Sequence, residues 1–147
     1  MKRLKALVKR IDKIDESNFI KWLFLQREFK ELIVRLNTEE QLYNRGIDSM
    51  GRELGNYSTY TLLIKMDKGQ RFDHVTLNDT GRFYNSFKIG KTVEGFKITA
   101  QTLKEDNDLI QVWGEDILGL TDESLEILIE LCRTILLKQM REYLIAA

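Results

Sequence analysis

The residue types that could support catalysis are concentrated in one polar stretch, RFDHVTLNDTGRFYNS, at residues 71–86. Asp73, His74 and Asp79 are candidates for a general acid–base set, because carboxylates and imidazole can move protons near neutral pH. Hydroxyl groups that a neighbouring base might activate as nucleophiles occur at Thr76, Thr80 and Ser86. This stretch is therefore the first place to look for an enzyme active site.

The spacing within this stretch matches no catalytic motif. Asp73 and His74 are adjacent in sequence, and neighbouring side chains of an extended segment point to opposite faces. Asn78 or Asp79 is better suited to capping the next turn of backbone, with Gly81 allowing an unusual dihedral angle. We therefore predict loop and structural roles here, and no catalytic residue.

Metal and cofactor sites are equally poorly supported. The chain has one cysteine, Cys132, and one histidine, His74, too few for a zinc site of the usual nitrogen and sulfur type. Cys132 lies in the apolar run LEILIELCRTILL, which predicts a buried side chain. The loop GIDSMGRELG offers Asp48 and Glu53, fewer oxygen ligands than a calcium loop needs. Phosphate-binding glycine motifs are missing, so we predict no metal and no cofactor.

Length and composition indicate one globular domain. The chain has 147 residues, with 23 basic and 23 acidic side chains and a formal net charge of zero. It lacks the basic excess typical of nucleic-acid-binding proteins. No apolar run approaches the roughly 20 residues of a membrane span, and the N-terminus lacks the apolar stretch of a secretory signal. We expect a soluble protein, made in the cytoplasm and without a membrane partner.

Charge is unevenly distributed along the chain. Residues 1–13 carry six basic groups and one acid, whereas residues 104–130 carry nine acids and one base. Opposite charges at two places on identical subunits can attract each other head to tail, although both could equally be ordinary solvated faces. The charged candidates for a subunit interface are Lys5, Lys9, Arg10, Asp116 and Glu123.

Two helices are predicted at the N-terminus. Apolar residues recur at spacings of three and four over residues 4–14, and a second helix is predicted over residues 18–36. The first half of the second helix is apolar on most sides, so we expect it to pack against more than its own small domain. The apolar candidates for a contact with a neighbouring subunit are Trp22, Phe24, Leu25 and Phe29. We treat residues 1–37 as a helical N-terminal arm.

Caps and glycines mark the elements of the remaining domain, residues 38–147. A break at Asn37-Thr38 should precede a short helix, which starts with a capping box at Thr38 and ends before Gly46. Further expected elements are a helix from Ser58 to Gly69, a short helix in TGRFYNSF, a short helix in DLIQVWG, and a long helix from Thr121 to Tyr143.

A β-hairpin is predicted over residues 88–101, with its turn at Glu94-Gly95. Phe96, Ile98 and Ala100 alternate with polar residues, the period of a half-buried strand. The order of elements predicts an α+β fold, in which one small antiparallel sheet packs with the long C-terminal helix. The predicted core stripe of that helix includes Ile129.

Four segments over residues 40–140 resemble the phage virion-morphogenesis and tail-completion proteins, which join head to tail. These segments are IDSMGRELGNYSTYT with LLIKMDKG, TLNDTGRFYNSFKI, the hairpin ending at LIQVWG, and ILGLTDESLEILIELCRTIL. TGRFYNSF is similar to the family's threonine–glycine–arginine turn into a strand, and LGLTDESLE to its turn into the final helix. The chain departs from the family at Asp116-Ile117, where arginine–proline is frequent, and at Val112-Trp113, where a histidine is usual.

The resemblance implies a non-enzymatic virion protein of the neck or tail of a tailed phage or prophage. Such proteins form homomeric rings, six- or twelve-fold, that dock on a portal or adaptor ring and on tail proteins. DNA would pass through the lumen of the ring without sequence-specific binding. The residues leave one alternative open, an intracellular nucleic-acid-binding or regulatory module that uses the basic N-terminal helix through Lys5, Lys9, Arg10 and Lys13.

Overall fold

The computed structural model describes residues 16–93, 95–105 and 107–145. The predicted first helix, with Lys5, Lys9 and Arg10, lies outside these ranges, as does Glu94 of the hairpin turn. In chain order the elements are α1 (Glu16–Leu23), α2 (Arg27–Arg35), a π-helix (Leu36–Arg45), α3 (Thr59–Asp67), α4 (Arg82–Asn85), β1 (Lys88–Lys91), β2 (Phe96–Thr99), β3 (Leu103–Lys104), β4 (Asn107–Asp108), α5 (Leu109–Trp113), a 3₁₀-helix (Glu115–Ile117) and α6 (Asp122–Ile145).

The α+β prediction is confirmed. Strands β1 and β2 form the expected antiparallel hairpin, with Ile89 opposite Ile98 and Lys88 opposite Thr99. A second, very short antiparallel pair, β3 with β4, was not predicted. Because side chains alternate across a strand, Ile98 points inward while its neighbour Lys97 stays in solvent.

One hydrophobic core connects the N-terminal helices to the rest of the chain. Phe29 and Ile33 of α2 belong to the same cluster as Ile98 of the hairpin and Leu128 of α6. The buried apolar members are Leu23, Phe24, Phe29, Ile33, Leu36, Leu42, Phe83, Phe87, Ile98, Leu109, Ile117, Leu120 and Leu128. Packing is therefore continuous across residue 37, where the arm was expected to end.

The helix predicted over residues 18–36 is interrupted at residues 24–26. The amides of Leu25 and Gln26 donate to carbonyls three residues earlier, at 3.0 and 2.9 Å, which closes α1 with a tight turn. The turn places the ring of Phe24 edge-on to that of Phe29, with centroids 5.3 Å apart. No glycine or proline marks this turn in the sequence. The apolar contact holds it, together with a hydrogen bond from the Gln26 side chain to the carbonyl of Trp22 at 3.2 Å.

The predicted break at Asn37-Thr38 is wrong, because α2 continues directly into a ten-residue π-helix. Thr38 caps nothing; its hydroxyl donates to the carbonyl of Val34 at 2.8 Å, one turn earlier. The predicted end is confirmed: Gly46 adopts a left-handed conformation with φ of 62°, which glycine reaches without strain.

Most of the other predicted element ends are confirmed. The side chain of Ser58 accepts from the amide of Thr61 at 3.3 Å, and that of Thr121 from Ser124 at 3.2 Å. Helix α5 ends at Gly114. Ile129 of α6, predicted to be in the core, is 55% exposed. Within the described ranges, no helix combines the length and the apolar character that crossing a membrane requires.

Candidate interaction surfaces

Two side-chain amides of the π-helix hold the loop before α6. Asn37 donates to the carbonyl of Ile117 at 3.1 Å and accepts from the amide of Gly119 at 3.0 Å. Gln41 donates to the carbonyl of Gly119 and accepts from the amide of Thr121, both at 2.9 Å. Both side chains are fully buried. We call this set, Asn37 and Gln41 with residues 117–121, the amide joint.

The amide joint positions the two acidic residues that the sequence offered as interface candidates. Asp116 pairs with Arg52 at 2.5 Å, and Glu123 pairs with Arg45 at 2.6 Å. The Asp116 side chain is about half exposed and that of Glu123 largely so, so each pair contributes little to stability. Asp116 and Glu123 therefore flank the joint in sequence, each beside an arginine of its own chain. Their role in an interface stays a prediction.

The loop considered for calcium is closed by its own hydrogen bonds. Asp48 is buried, and one carboxylate oxygen accepts from the amides of Met50 and Arg52, both at 2.9 Å. The other oxygen accepts from the Arg52 guanidinium at 2.7 Å. Over the residues that the structure describes, no three His, Cys, Asp or Glu side chains are grouped to hold a metal ion.

Asp73 and His74 are in contact, contrary to the prediction that they point apart. The chain bends here, and Asp73 Oδ2 lies 3.2 Å from His74 Nδ1. The guanidinium of Arg71 donates to Asp73 at 2.7 Å and, with His74, lowers the pKa of that carboxyl to about 2. The other ring nitrogen of His74, Nε2, donates to the carbonyl of Tyr43 at 2.8 Å. Both ring nitrogens are thus occupied by the protein's own groups.

Asp79, the third member of the candidate acid–base set, has different partners. Lys104 and Lys68 contact its carboxylate at 3.0 and 3.4 Å and lower its pKa, Lys104 through the larger effect. No hydrogen bond or ion pair in the described ranges joins Asp79 to Asp73 or His74. The structure therefore does not assemble the three residues into one site.

The candidate hydroxyls are also bonded within the chain. Thr76 is fully buried, and its hydroxyl lies 3.1 Å from that of Tyr57. Tyr84 donates to the carbonyl of Thr76 at 2.5 Å, and burial raises the pKa of the Tyr84 phenol. Ser86 donates to the carbonyl of Phe83 at 2.7 Å and accepts from the amide of Gln101 at 2.8 Å. These bonds hold the corner that leads into the hairpin.

Helix α3 exposes most of its apolar side chains and buries a lysine. Tyr60 is 76% exposed and Leu63 59%, and Ile64 and Met66 also lie in solvent, whereas Lys65 is only 6% exposed. We call Tyr60, Leu63, Ile64 and Met66 the α3 face. Exposed apolar side chains grouped on one short helix make it a candidate surface for contact with other molecules.

The buried lysine is held by neutral groups. Lys65 Nζ donates to the carbonyl of Asn78 at 2.8 Å and to the side chain of Gln70 at 3.1 Å. It also lies 4.9 Å from the centroid of the Tyr57 ring, within the range of a cation–π contact. These contacts fix the orientation of α3 and so direct its apolar residues outward. Nothing in the sequence TYTLLIKMD predicts that its lysine is the buried residue.

The structure separates the four apolar candidates of the N-terminal helices. Phe24 and Phe29 are buried in the chain's own core, and Trp22 is half-buried. Leu25, at the turn between α1 and α2, is 78% exposed. Of the four, Leu25 therefore presents the most surface to a partner, and the two phenylalanines stabilise the chain itself.

Leu25 lines an open groove of about 1300 Å³ between α2, β1 and the first half of α6. Apolar side chains of these elements and of the residue before β1 line it, namely Leu32, Val34, Phe87, Ile89, Ile127 and Leu131. Its rim carries charges of both signs from α2, including the exposed pair Arg27 and Glu31. The groove exceeds the size of most small-molecule sites, which favours a polypeptide segment as its occupant.

Searches of protein-family models, of curated proteins and of solved structures found no match to this chain.

Proposed function

We propose that this protein is a structural component of the neck of a tailed phage or prophage. It forms a homomeric ring, six- or twelve-fold, that joins the portal or adaptor ring to tail proteins. The protein acts by fitting its surfaces to neighbouring copies and partners, and it catalyses no reaction. DNA passes through the lumen of the ring without sequence-specific contacts. The sequence resemblance of residues 40–140 to tail-completion proteins supplies the identity of the assembly.

The observation that carries the proposal is the α3 face. Four large apolar side chains lie in solvent on one short helix, while the lysine of that helix is buried. The buried position of Lys65 is stabilised by two hydrogen-bond acceptors and by an aromatic ring next to its ammonium group. Since exposing apolar area costs about 25 cal/mol per Å² relative to burying it, a partner that covers the α3 face would be bound favourably.

The polar residues support the same conclusion. The groups that could have formed an active site are not brought together: Asp73 and His74 contact each other, whereas Asp79 pairs with lysines. Arg71 and the carbonyl of Tyr43 take up the remaining atoms of the Asp73–His74 pair. Chemistry on a substrate would require these groups to leave their present partners. In an assembly protein these residues can keep their present partners, because their role is to stabilise the corner between α3 and the hairpin.

The test is the state of the full-length protein in solution and in particles. We expect rings by electron microscopy of the purified chain, alone or mixed with its portal partner, and a closed multiple of the chain mass by native mass spectrometry. Phage particles should contain the chain at a fixed number of copies. A chain that stays monomeric with its partners and is missing from particles would overturn the proposal, as would salt-sensitive nucleic-acid binding by that monomer.

A further inference from the structure

Beside the groove lies a smaller pocket of about 310 Å³. Three lysines from three elements line it, Lys21 of α1, Lys30 of α2 and Lys91 of β1. The other lining residues are apolar, namely Phe24, Leu25 and Ile89. We call this site the lysine pocket. Whereas the groove carries charges of both signs, the described lining of the lysine pocket holds no acid.

The positive charge of the lysine pocket is not balanced within the described part of the chain. The lysines that form ion pairs in the described ranges are Lys68 and Lys104, both with Asp79. Leu25, which is 78% exposed, adds apolar surface beside the ammonium groups. Clefts lined by one sign of charge concentrate groups of the opposite sign. The pocket therefore selects an occupant that combines apolar and negatively charged groups.

Such a combination lies on the first half of α6. Asp122, Glu126 and Ile129 follow one another at spacings of four and three, so they form one line on the surface of the helix. All three are exposed, Ile129 by 55%. The described ion pairs of α6 include neither acid, and the next residue on the line, Arg133, is paired with Glu130. We call Asp122, Glu126 and Ile129 the acidic stripe.

The lysine pocket and the acidic stripe face different directions. Ile127 and Leu131 of α6 line the groove, and the groove shares Leu25 and Ile89 with the lysine pocket. Each residue of an α-helix is rotated by about 100° from the one before it, so Ile129 lies about 200° around the axis from Ile127. The acidic stripe therefore points away from the pocket of its own chain and is presented to other molecules.

We propose that the lysine pocket of one copy binds the acidic stripe of the next copy, an inference that rests on the ring proposed above. Ile129 packs on the apolar lining, and Asp122 and Glu126 pair with the lysines. The N-terminal segment is a poorer occupant, because residues 1–13 carry six bases and one acid and like charges repel. Duplex DNA would pair with the lysines but leave the apolar lining uncovered.

The contact joins two different surfaces and is therefore heterologous. Heterologous contacts generate closed rings when the rotation between neighbours closes. Every copy in such a ring uses both of its surfaces, and the two ends of the ring differ, as a connector between a head and a tail requires. The α3 face contributes no residue to either surface and remains available to the partner ring.

Charge reversal on either side tests the contact. Lys91→Glu places a negative charge in the lysine pocket, and Glu126→Lys places a positive charge in the acidic stripe. Both side chains are exposed, so both variants should fold like the wild type by circular dichroism and thermal unfolding. Each variant alone should lose the ring, with the dissociation constant between copies raised at least about tenfold in sedimentation.

The two reversals should compensate each other. A 1:1 mixture of the two single variants should form rings of alternating chains, because positions 91 and 126 then carry opposite charges in every contact. The chain with both substitutions should form rings by itself for the same reason. Lys97→Glu is the matched control, since Lys97 is an exposed lysine of the same hairpin that does not line the pocket, and this variant should keep the ring.

Rings in both single variants, or no recovery in the mixture, would overturn this inference and leave the proposed function standing. Equal loss of the ring in Lys97→Glu would also overturn it, because net charge would then be the cause. Salt-sensitive binding of duplex DNA that Lys91→Glu abolishes while the rings persist would assign the pocket to phosphate instead. A wild-type chain that is monomeric with and without its partners overturns both proposals.

A photo-crosslinking residue at Leu25 identifies the occupant directly. In a mixture of isotope-labelled and unlabelled full-length chains, we expect crosslinks from Leu25 to residues 122–129 of a different copy. The matched control is Val112, an apolar residue that is 59% exposed and does not line the pocket. Crosslinks to residues 1–15, to another protein, or equally strong crosslinks from Val112 would overturn the inference.

Discussion

The amide joint and helix α3 invert the usual distribution of polar and apolar residues in opposite ways. At the joint, two amide side chains are fully buried and each makes two hydrogen bonds to the backbone of a distant loop. On α3, four large apolar side chains lie in solvent above a buried lysine. In the described part of the chain, every buried side-chain nitrogen or oxygen has a hydrogen-bond partner, so neither inversion leaves a polar group unsatisfied.

The difference separates residues that stabilise the fold from residues that the proposed assembly would use. Buried polar groups with complete hydrogen bonding specify one arrangement of backbone, because any other leaves them unpaired. Exposed apolar groups do little for the single chain and lower the free energy only when a partner covers them. Substitutions at the joint should therefore change stability, and substitutions on the α3 face should change association.

The largest effect on stability is expected for Gln41→Ala. The substitution removes two hydrogen bonds and leaves the carbonyl of Gly119 and the amide of Thr121 without their partner. The lost hydrogen bonds and the two unpaired backbone groups together should lower the free energy of unfolding by about 3–4 kcal/mol. Denaturant unfolding measures this free energy. Asn44→Ala, on the exposed side of the same helix, is the control and should change it by less than about 0.5 kcal/mol.

An equal loss in both variants would show that the joint is not what stabilises the loop.

A smaller loss is expected for Gly46→Ala, at the end of the helix that carries the joint. Gly46 has φ of +62°, and an added Cβ would collide with the ring of His74. Gly51 has φ of +75° but nothing within 4 Å of such a Cβ, so Gly51→Ala reports the backbone strain alone, about 1 kcal/mol. We expect Gly46→Ala to cost about 2–3 kcal/mol in the same measurement.

Equal effects of the two alanines would mean that His74 moves aside freely. In that case the contact of His74 with Tyr43 would contribute nothing to the position of the helix end.

Lys65→Met tests the buried side of α3. The substitution keeps an unbranched side chain, one heavy atom shorter, and removes the donor to Asn78 and Gln70, which should cost about 1–2 kcal/mol. Lys68→Met is the control, since Lys68 is half exposed and pairs with Asp79 at 3.4 Å, a contact worth at most about 0.5 kcal/mol. If Lys65→Met instead stabilises the chain, the lysine is retained for the orientation of α3 alone.

The sequence predicted what local chemistry decides. Ser58, Thr121, Gly46 and Gly114 end or begin elements as expected, because a cap or a left-handed glycine acts within a few residues. The alternation of apolar and polar residues correctly predicted the β-hairpin.

The predictions fail where the local conformation depends on residues far away in the sequence. Asn37 resembles a helix break in isolation, yet its bonds to residues 80 and 82 positions away keep it helical. The candidate surfaces were predicted only in part for the same reason. Leu25 could be named, but its exposure depends on a turn made by the packing of Phe24 on Phe29. The outward face of α3 depends on acceptors that Asn78 and Gln70 supply from the following loop.

The smallest effect on stability, and the sharpest contrast with Gln41→Ala, is expected for Leu63→Ser on the α3 face. Leu63 is 59% exposed, so the free energy of unfolding should change by less than about 0.5 kcal/mol. Association with the partner ring should nevertheless weaken, because burial of one leucine contributes about 1.5–3 kcal/mol, roughly a ten- to hundredfold change in dissociation constant. Sedimentation of mixtures with the partner ring measures the association. Leu62→Ser, a half-buried neighbour on the same helix, should show the reverse: a larger loss of stability and a smaller loss of binding. If both variants lose stability equally and bind equally well, the α3 face supports the single chain and the division between fold and assembly does not hold.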